Sequence, residues 1–415
     1  MKKSLLAIAA MGAFASAAQA QSSVTVYGIL DLGYIGYNTR VAQGNSGDKA
    51  VNKTTGNSFS AGGQSTNRLG FKGAEDLGGG LSGFFTIETA ITPNGSTAVS
   101  TGATGNRQTF VGLKKNGIGQ FALGTQYTVV HKAVAATDPG NANNISGNLV
   151  YPAVSEGTGN SAESSTGAAY TIRTNNQLSL NSDTFAGFQG NAMIVMNNKN
   201  QNETIVTAAG VSTTTGGLNN QNGWGLGVNY TFQKFYATAN YQALTSKQSA
   251  QTTAANGLPT TAAGFPQVGY SLGASAPGVN VQDNQWYLAA TYDFGILKAY
   301  AQYINRKVSA QQANSYYLSR SAEQIGVRSF ITPTIEAWAS GGLGRYISFG
   351  SNAANLTGWQ IGSNYWLSKR TNLYAIYGQT GTSNASVPTG SLTTSNANPV
   401  SGNVSNYAIG VRHTF

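Results

Sequence analysis

The sequence predicts an all-β protein: a transmembrane antiparallel β-barrel of sixteen strands, with short turns at one end and long loops at the other. This prediction rests on the composition, the pattern of the last strand and the spacing of turn signals. Charged residues make up only 9% of the 415 residues, against ~25% in soluble globular proteins. Hydrophobic residues reach only 40%. Low charge with modest hydrophobicity is typical of a barrel that is apolar outside and wet inside.

The last twelve residues have the alternation expected of a strand that faces lipid. Tyr407, Ile409, Val411 and Phe415 share one parity, and the positions between them are small, polar or charged. Since alternate side chains of a strand point to opposite faces, one face is apolar and ends in aromatics. We expect this strand to pair with the first one and close the barrel, which leaves no edge open in lipid. A half-buried soluble strand is the alternative.

The first twenty residues predict a secretory signal peptide. Two lysines precede an apolar run, and an Ala-Gln-Ala sequence ending at Ala20 fits a cleavage site. We therefore divide the chain into a signal peptide, residues 1–20, and one barrel domain, residues 21–415. Loss of the two lysines lowers the formal net charge from +10 to +8. The absence of cysteine excludes disulfides and thiolate metal sites.

Short turn signals divide the chain into strand-like runs. They lie at 77–80, 116–119, 182–187, 233–234, 295, 332–334 and 368–370. Long polar connections alternate with them, at 39–66, 92–105, 128–168, 198–222, 246–282, 309–319, 348–355 and 381–402. Eight long loops that alternate with short turns imply sixteen strands.

Aromatic residues at both ends of an apolar face mark the clearest strands. In the runs 224–232 and 286–294 every second residue is apolar, and each run begins with Trp and ends with Phe. Such girdles occur at the two interfaces of a membrane barrel. Trp338 and Tyr374 lie on the inward parity of two less regular strands, which leaves open a position near the rim or a different register.

Four stretches resemble the neisserial and burkholderial general porins of Gram-negative bacteria. They are VTVYGILDLGYIGYN (24–38), NRLGFKGAEDLGGGLSGFF (67–85), NRQTFVGLK (106–114) and GQFALGTQY (119–127). The last strand resembles the signature that the outer-membrane assembly machinery reads, with Tyr407 and Phe415 as its signal residues. The resemblance implies a homotrimeric diffusion porin of the outer membrane, exported through the Sec pathway. Its partners would be outer-membrane lipids, lipopolysaccharide, small hydrophilic solutes and ions.

A basic pore wall is implied by the same resemblance. Arg68, Arg107 and Arg173 stand where such porins carry a lumenal arginine, and Lys72 shares the parity of Arg68 nearer the periplasm. Arginine suits a wet pore because it stays charged without a buried partner. The usual arginine of the strand-five G-R-Q motif is Thr125 here, which predicts a weaker or wider basic ladder. Exposed arginines at strand ends are the alternative.

In the porins that this chain resembles, the third long loop folds into the barrel and narrows it, and the resemblance implies the same for residues 128–168. The candidate residues of this loop are His131, Lys132, Asp138, Glu156 and Glu163. The acidic ones would face the basic wall across the pore. An ordinary exposed loop is the alternative, and the enteric P-E-F motif is absent, so the path of the loop cannot be carried over.

Residues suited to catalysis are sparse. His131 and His413 are the two histidines, no nucleophile motif accompanies them, and a zinc site lacks ligands. The basic residues form no cluster of the kind that binds nucleic acid. We expect a passive channel with a modest anion preference, no catalysis and no cofactor. A substrate-specific channel using Tyr236, Tyr287 and Tyr300, or a secreted β-rich adhesin, are the alternatives.

Overall fold

One antiparallel sheet contains all seventeen strands of the computed structural model, which describes residues 23–42, 51–95, 98–99, 105–152, 169–208, 211–248, 279–310, 317–348, 353–386 and 399–415. The strands are β1 Ser23–Ala42, β2 Val51–Ala61, β3 Arg68–Gly78, β4 Leu81–Ala90, β5 Asn106–Lys115, β6 Gly119–Tyr127, β7 Arg173–Ser182, β8 Phe188–Ala208, β9 Val211–Phe232, β10 Phe235–Gln248, β11 Val279–Asp293, β12 Lys298–Ala310, β13 Tyr317–Phe330, β14 Ile335–Ser348, β15 Ala354–Trp366, β16 Thr371–Ser386 and β17 Pro399–Thr414. A helix, α1 (Val129–Thr137), follows β6. The predicted signal peptide, Glu156 and Glu163 lie outside the described residues.

The sheet closes into a barrel at the seam between its first and last strands. From β3 to β17 each strand pairs antiparallel with the next, and β17 pairs with β1 from Ile29–Thr414 to Val41–Gly402. Two backbone hydrogen bonds between Gly28 and Phe415, of 3.1 and 3.2 Å, extend this pairing to the last residue. The predicted closing strand is therefore confirmed.

Strands β2 and β3 together occupy one position in the barrel wall. β2 pairs with the half of β1 from Leu32 to Ala42, and β3 pairs with the half from Ser23 to Ile29. Because the two segments follow one another along β1, seventeen segments make sixteen spanning strands. The predicted strand number is confirmed.

Residues 62–67, between β2 and β3, form an inward bulge that Asp31 of β1 holds in place. The buried Asp31 carboxylate accepts hydrogen bonds from the backbone N–H groups of Gln64 (2.8 Å) and Ser65 (2.5 Å) and from the Tyr374 hydroxyl (2.6 Å). The bulge in turn meets the third long loop, since Asn144 Nδ2 donates to the Gly62 carbonyl at 2.7 Å. The bulge thus occupies part of the barrel interior.

Two of the predicted long loops are largely strand in their described residues, and strand ends also extend into others, such as 246–282 and 381–402. The predicted loop 39–66 includes β2, and the predicted loop 198–222 is largely the hairpin of β8 and β9, which pair out to Ala208 and Val211. These predictions were wrong because a strand that extends beyond the membrane meets water on both faces. It therefore needs no apolar parity, and period-two hydrophobicity does not reveal it.

The outer face of the barrel carries the predicted apolar parity. Trp224, Leu226, Trp286 and Leu288 are each about half exposed, as expected of side chains that face lipid. The seven predicted short turns lie between consecutive strands from β3 onward. Trp338 and Tyr374 are buried inside the barrel, which settles the question of their register in favour of the inward parity.

The third long loop enters the barrel, as predicted, and much of the buried core lies between it and the wall. We call its described residues, 128–152 and 169–172, the inner loop. Helix α1 packs Val130 and Val134 against inward residues of the wall such as Leu244 and Ile304. Further on, the Leu149 N–H donates to Gln324 Oε1 at 2.9 Å, and Asn143 Nδ2 donates to Gln360 Oε1 at 2.6 Å.

Side-chain carboxamides on the inner wall therefore satisfy the backbone and side chains of the inner loop. Buried polar groups need such partners.

Within the described part of the chain, no helix is long and apolar enough to cross a membrane.

Candidate functional site

Three arginines meet on alternate strands of the wall. Arg68 is the first residue of β3, Arg107 the second of β5, and Arg173 the first of β7. We call them the arginine cluster. Glu88 of β4 and Tyr127 at the end of β6 stand between them.

Two side chains link the members of the arginine cluster. Arg107 Nε donates to Glu88 Oε1 at 2.7 Å, and Arg68 Nη1 lies 3.9 Å from the same oxygen. Arg107 Nη2 donates to the Tyr127 hydroxyl at 2.8 Å, and the guanidinium carbon of Arg173 lies 5.7 Å from the centre of the Tyr127 ring. The arginine cluster is thus one connected network rather than three separate charges.

Sequence reasoning missed Glu88, although a signal for it exists. β4 reads LSGFFTIETA, and Glu88 is its one charged residue. It lies on the parity opposite the exposed Ile87, so period-two alternation places it inside the barrel. Glu88 is buried, and it also accepts a hydrogen bond from the Tyr27 hydroxyl at 3.1 Å. The basic wall therefore contains a carboxylate.

Lys72 and Thr125 take different positions relative to the arginine cluster. Lys72 is exposed, lies four residues after Arg68 toward the short turn of β3, and sets its ammonium 5.4 Å from the centre of the Tyr27 ring. Thr125 donates a hydrogen bond to Asn175 Oδ1 at 3.1 Å on an exposed part of the surface. Thr125, at the position where the related porins usually carry an arginine, therefore forms a contact between β6 and the start of β7.

His131 belongs to an aromatic group at the base of the inner loop. Its Nδ1 lies 2.9 Å from the Tyr170 hydroxyl, and its ring centre lies 4.4 Å from that of Tyr127 and 6.0 Å from that of Tyr151. The His131 N–H also donates to the N-cap oxygen of Thr128 at 3.2 Å. Buried and packed in this way, His131 anchors the inner loop beside the arginine cluster.

Asp138 lies by Gln324 and Arg328 of β13, so the basic wall residue that acts on its carboxyl is not a member of the arginine cluster. Asp138 is buried at the end of α1, where it accepts hydrogen bonds from Asn148 Nδ2 at 2.6 Å and the Ala142 N–H at 2.8 Å. Burial raises the pKa of this carboxyl, and these hydrogen bonds oppose the rise. Asp138 thus ties two parts of the inner loop together.

Lys132 of α1 reaches toward a different part of the wall. Its ammonium lies 3.4 Å from Asn181 Oδ1 on β7. Burial lowers the pKa of Lys132 to about 8. Lys132 is therefore a candidate of the inner loop whose charge changes near neutral pH.

Two basic residues of β13, the buried Arg320 and the partly buried Arg328, hold the inner loop, and sequence reasoning did not identify them. Arg320 Nη2 donates to the Leu149 carbonyl and Arg328 Nη1 to the Pro139 carbonyl, both at 2.7 Å. A guanidinium can satisfy loop carbonyls and still bind a wall residue. On the sequence these arginines look like further pore-lining charges, and only their contacts show that they support the loop.

The inward tyrosines do not form an open aromatic line. Tyr287 is fully buried beneath α1, where its hydroxyl contacts Thr137 Oγ1 at 2.5 Å and accepts a hydrogen bond from Gln302 at 2.8 Å. Tyr300 is also buried, whereas Tyr236 is partly exposed. Among the described residues, no group of three or more His, Cys, Asp or Glu is placed to hold a metal ion.

Comparison with known proteins shows the family. The Gram-negative porin family model matches residues 7–385. An outer membrane porin protein of Bordetella pertussis is 27% identical over 408 residues, which are 90% of this chain and 93% of the relative. The anion-selective porin from Comamonas acidovorans has a similar structure, with a TM-score of 0.62 at 21% identity over 95% of this chain and 100% of that one. The trimer form of OmpT from Vibrio cholerae has a TM-score of 0.57 at 15% identity over 95% and 99%.

The chain belongs to the Gram-negative porin family. It is an integral β-barrel of the bacterial outer membrane and forms a water-filled channel for passive diffusion. The members of this family are channels rather than enzymes. The inner loop accordingly lies inside a diffusion pore.

Proposed function

We propose that the channel has a modest preference for anions and that the arginine cluster sets it. The observation that carries this proposal is the charge count of the connected network. Among the described residues, Arg68 and Arg107 share the carboxylate of Glu88, and Arg173 joins them through the ring of Tyr127. These three guanidinium groups and one carboxylate carry a net charge of 3 − 1 = +2. Lys72 adds a further exposed positive charge nearer the short turns.

The position of these charges matters more than the net charge of the chain. Charges on exposed loops are screened within about 8 Å at physiological salt. Charges on the inner wall lie against a low-dielectric barrel that focuses their field into the water of the pore. Asp138, turned into the inner loop, does not oppose them. The structurally similar porin from Comamonas acidovorans is anion-selective, which agrees with this proposal.

The experiment is a reversal-potential measurement in a salt gradient across a planar bilayer. Replacing Arg68 and Arg107 together by Gln should shift the reversal potential toward the value of a cation-selective channel. It should also enlarge the conductance slightly. Raising the salt concentration should weaken the preference of the unmodified protein. The matched control is Lys307→Gln with Arg345→Gln, which removes two charges from exposed outward positions of β12 and β14. An unchanged reversal potential in the Arg68 and Arg107 variant would refute the proposal.

We also propose that the protein is a homotrimer. The structurally similar OmpT of Vibrio cholerae has a trimer form, which supports this assignment. Native mass measurement of detergent-extracted protein should give three chains. A folded monomer would count against this assignment.

The remaining assignments concern maturation and solutes. We propose that residues 1–20 are removed on export, that the assembly machinery reads Tyr407 and Phe415, and that lipids and lipopolysaccharide surround the barrel. The inner loop, with His131, Lys132 and Asp138 in its described part, would narrow the pore for small hydrophilic solutes and ions. Transport would involve neither catalysis nor a cofactor. N-terminal sequencing of the membrane-extracted protein tests the cleavage site after Ala20.

A further inference from the structure

A polar pocket lies between helix α1 and the barrel wall, apart from the arginine cluster. Its volume is about 490 Å³, within the usual size range of small-molecule sites. Inward side chains of β5 to β10 form its floor, and Lys132, Ala133 and Ala136 of α1 form its roof. The floor residues lie close to the short turns. The pocket therefore belongs to the half of the pore near those turns.

Two lysines give the pocket a positive charge. Lys132 reaches it from α1 and Lys114 from β5. Among the described residues, neither ammonium forms an ion pair with a carboxylate. The acidic residue that lines the pocket, Asp183, accepts a hydrogen bond from the Gly117 N–H at 2.7 Å in the turn region. Two lysines against one carboxylate leave a net charge of 2 − 1 = +1.

Carboxamides dominate the rest of the floor. The side chains of Asn191 and Gln120 have no hydrogen-bond partner among the described residues, whereas Gln189 and Asn229 bond each other at 3.1 Å. Asn240 donates to Thr238 Oγ1 at 2.7 Å, which leaves its carbonyl oxygen available. A carboxamide both donates and accepts, which is what an alcohol hydroxyl requires of its partners.

We propose that this pocket is a binding site for small carboxylates that also carry hydroxyl groups. The ammonium groups of Lys132 and Lys114 would hold the carboxylate through charge-assisted hydrogen bonds. The unpartnered carboxamides of Asn191 and Gln120 would bind the hydroxyl groups. An inorganic anion would satisfy the lysines but leave these carboxamides unused. This proposal depends on the channel function of the protein and does not depend on the proposed role of the arginine cluster.

Gluconate, sorbitol and acetate separate the contributions of the two kinds of group. Gluconate has both a carboxylate and hydroxyl groups, sorbitol has only the hydroxyl groups, and acetate has only the carboxylate. Each is added to single channels in a planar bilayer, on either side, while chloride carries the current. Gluconate should reduce the conductance in a saturable way at the lowest concentration, acetate should require more, and sorbitol should show no saturable effect.

Substitutions then locate the site. Lys132→Gln and Lys114→Gln should each raise the half-blocking gluconate concentration about fivefold, the effect of one unit charge at ~4 Å in water. Lys132→Arg should keep the block because it keeps the charge. Lys115→Gln is the matched control, since it removes the charge of the next residue, whose ammonium donates to the Gly79 carbonyl at 2.6 Å. If Lys132→Gln fails to assemble, Lys114→Gln decides the outcome.

Two results would overturn the proposal: a saturable block by sorbitol as strong as that by gluconate, or an unchanged gluconate block in an assembled Lys114→Gln channel. The reversal potential in chloride tests the arginine cluster separately. A cation-preferring channel that still binds gluconate would refute the selectivity proposal and leave the pocket standing. An anion-preferring channel with no gluconate block would refute the binding site in the pocket and leave the selectivity proposal standing.

Discussion

Arg107 and Glu88 form an ion pair of 2.7 Å in which 2% of the arginine side chain and 4% of the glutamate side chain are exposed. Removing one partner of a buried ion pair leaves the other charge uncompensated, which is costly. Here each residue has further partners, since Arg107 also bonds Tyr127 and Glu88 also bonds Tyr27. The arginine cluster is therefore also part of the packing between β3 and β7.

Neutralising the carboxylate of the arginine cluster should strengthen the anion preference. Glu88→Gln keeps an amide oxygen that can accept from Arg107, but it raises the net charge of the network from +2 to +3. A unit charge at ~6 Å in water is worth about 0.7 kcal/mol, which favours an anion and disfavours a cation by that amount each, so the ratio of anion to cation permeability should rise roughly tenfold. Reversal potentials in a salt gradient measure this ratio, and heat-modifiable gel mobility checks that the barrel is folded. A shift toward cations would show that Glu88 does not act on the permeating ions.

Asp138 should affect the inner loop rather than ion preference. Asp138→Asn keeps one acceptor oxygen for Asn148 but places an NH₂ group opposite the N–H of Ala142, which loses a hydrogen bond worth ~1 kcal/mol. We expect more frequent closures and a noisier open level in single-channel records. The reversal potential should stay the same, because the carboxylate faces the loop interior. A reversal potential as strongly altered as that of Glu88→Gln would place Asp138 in the ion path instead.

Anion preference should fall as the pH rises through about 8. Lys132 is charged below its pKa and neutral above it, and burial lowers that pKa to about 8. The other charged groups that line its pocket are Lys114 and Asp183. Reversal potentials measured across this pH range should therefore show a step. Lys132→Gln should abolish the step, and Lys132→Arg should keep the more anion-preferring level throughout; a step that survives in both variants would assign it to another group.

Closure of the barrel should depend on the contact between Gly28 and Phe415. A Cβ atom at position 28 would lie 2.4 Å from the Phe415 ring and 2.6 Å from the Arg68 carbonyl oxygen. Since the carbonyl belongs to the backbone of β3, it cannot move aside, and Gly28→Ala should cost about 1–3 kcal/mol, as overpacking typically does. Deleting Phe415 should impair assembly through the same seam. The yield of heat-modifiable protein in the membrane measures both effects.

Gly83→Ala is the control for this substitution, because a Cβ there meets no atom closer than 3.8 Å. It should assemble normally. Equal yields for Gly28→Ala and Gly83→Ala would show that the seam tolerates the extra atom.

Local alternation was sufficient to predict most of the barrel. The parity of Trp286 and Leu288 placed them toward lipid, the short turns separated the strands, and Trp338 and Tyr374 lay on the inward parity that the structure shows. The positions of Arg68, Arg107 and Arg173 followed from resemblance to known porin motifs. Side chains alternate between the two faces of a strand, so a few neighbouring residues are enough to predict which face each one occupies.

Contacts between distant parts of the chain could not be predicted in this way. Asp138 was expected opposite the basic wall, yet it is held by Asn148 inside the inner loop. Gln64 Nε2 donates to Asn364 Oδ1, 300 residues away. The parity of a residue says that its side chain points into the barrel. It does not say whether that side chain meets water, a loop or an opposite charge.

The amino-acid pattern was thus enough to predict the membrane barrel, its sixteen strands, its lipid face and the candidates for a basic wall. Three contacts became known from the folded chain alone: Glu88 pairs with Arg107, Asp138 bonds Asn148 within the inner loop, and Lys132 and Lys114 line one pocket. Burial and charge pairing depend on which segments fold inward against one another. Local periodicity determines which face a side chain occupies, and the closed barrel with its inner loop determines what lies in front of that face.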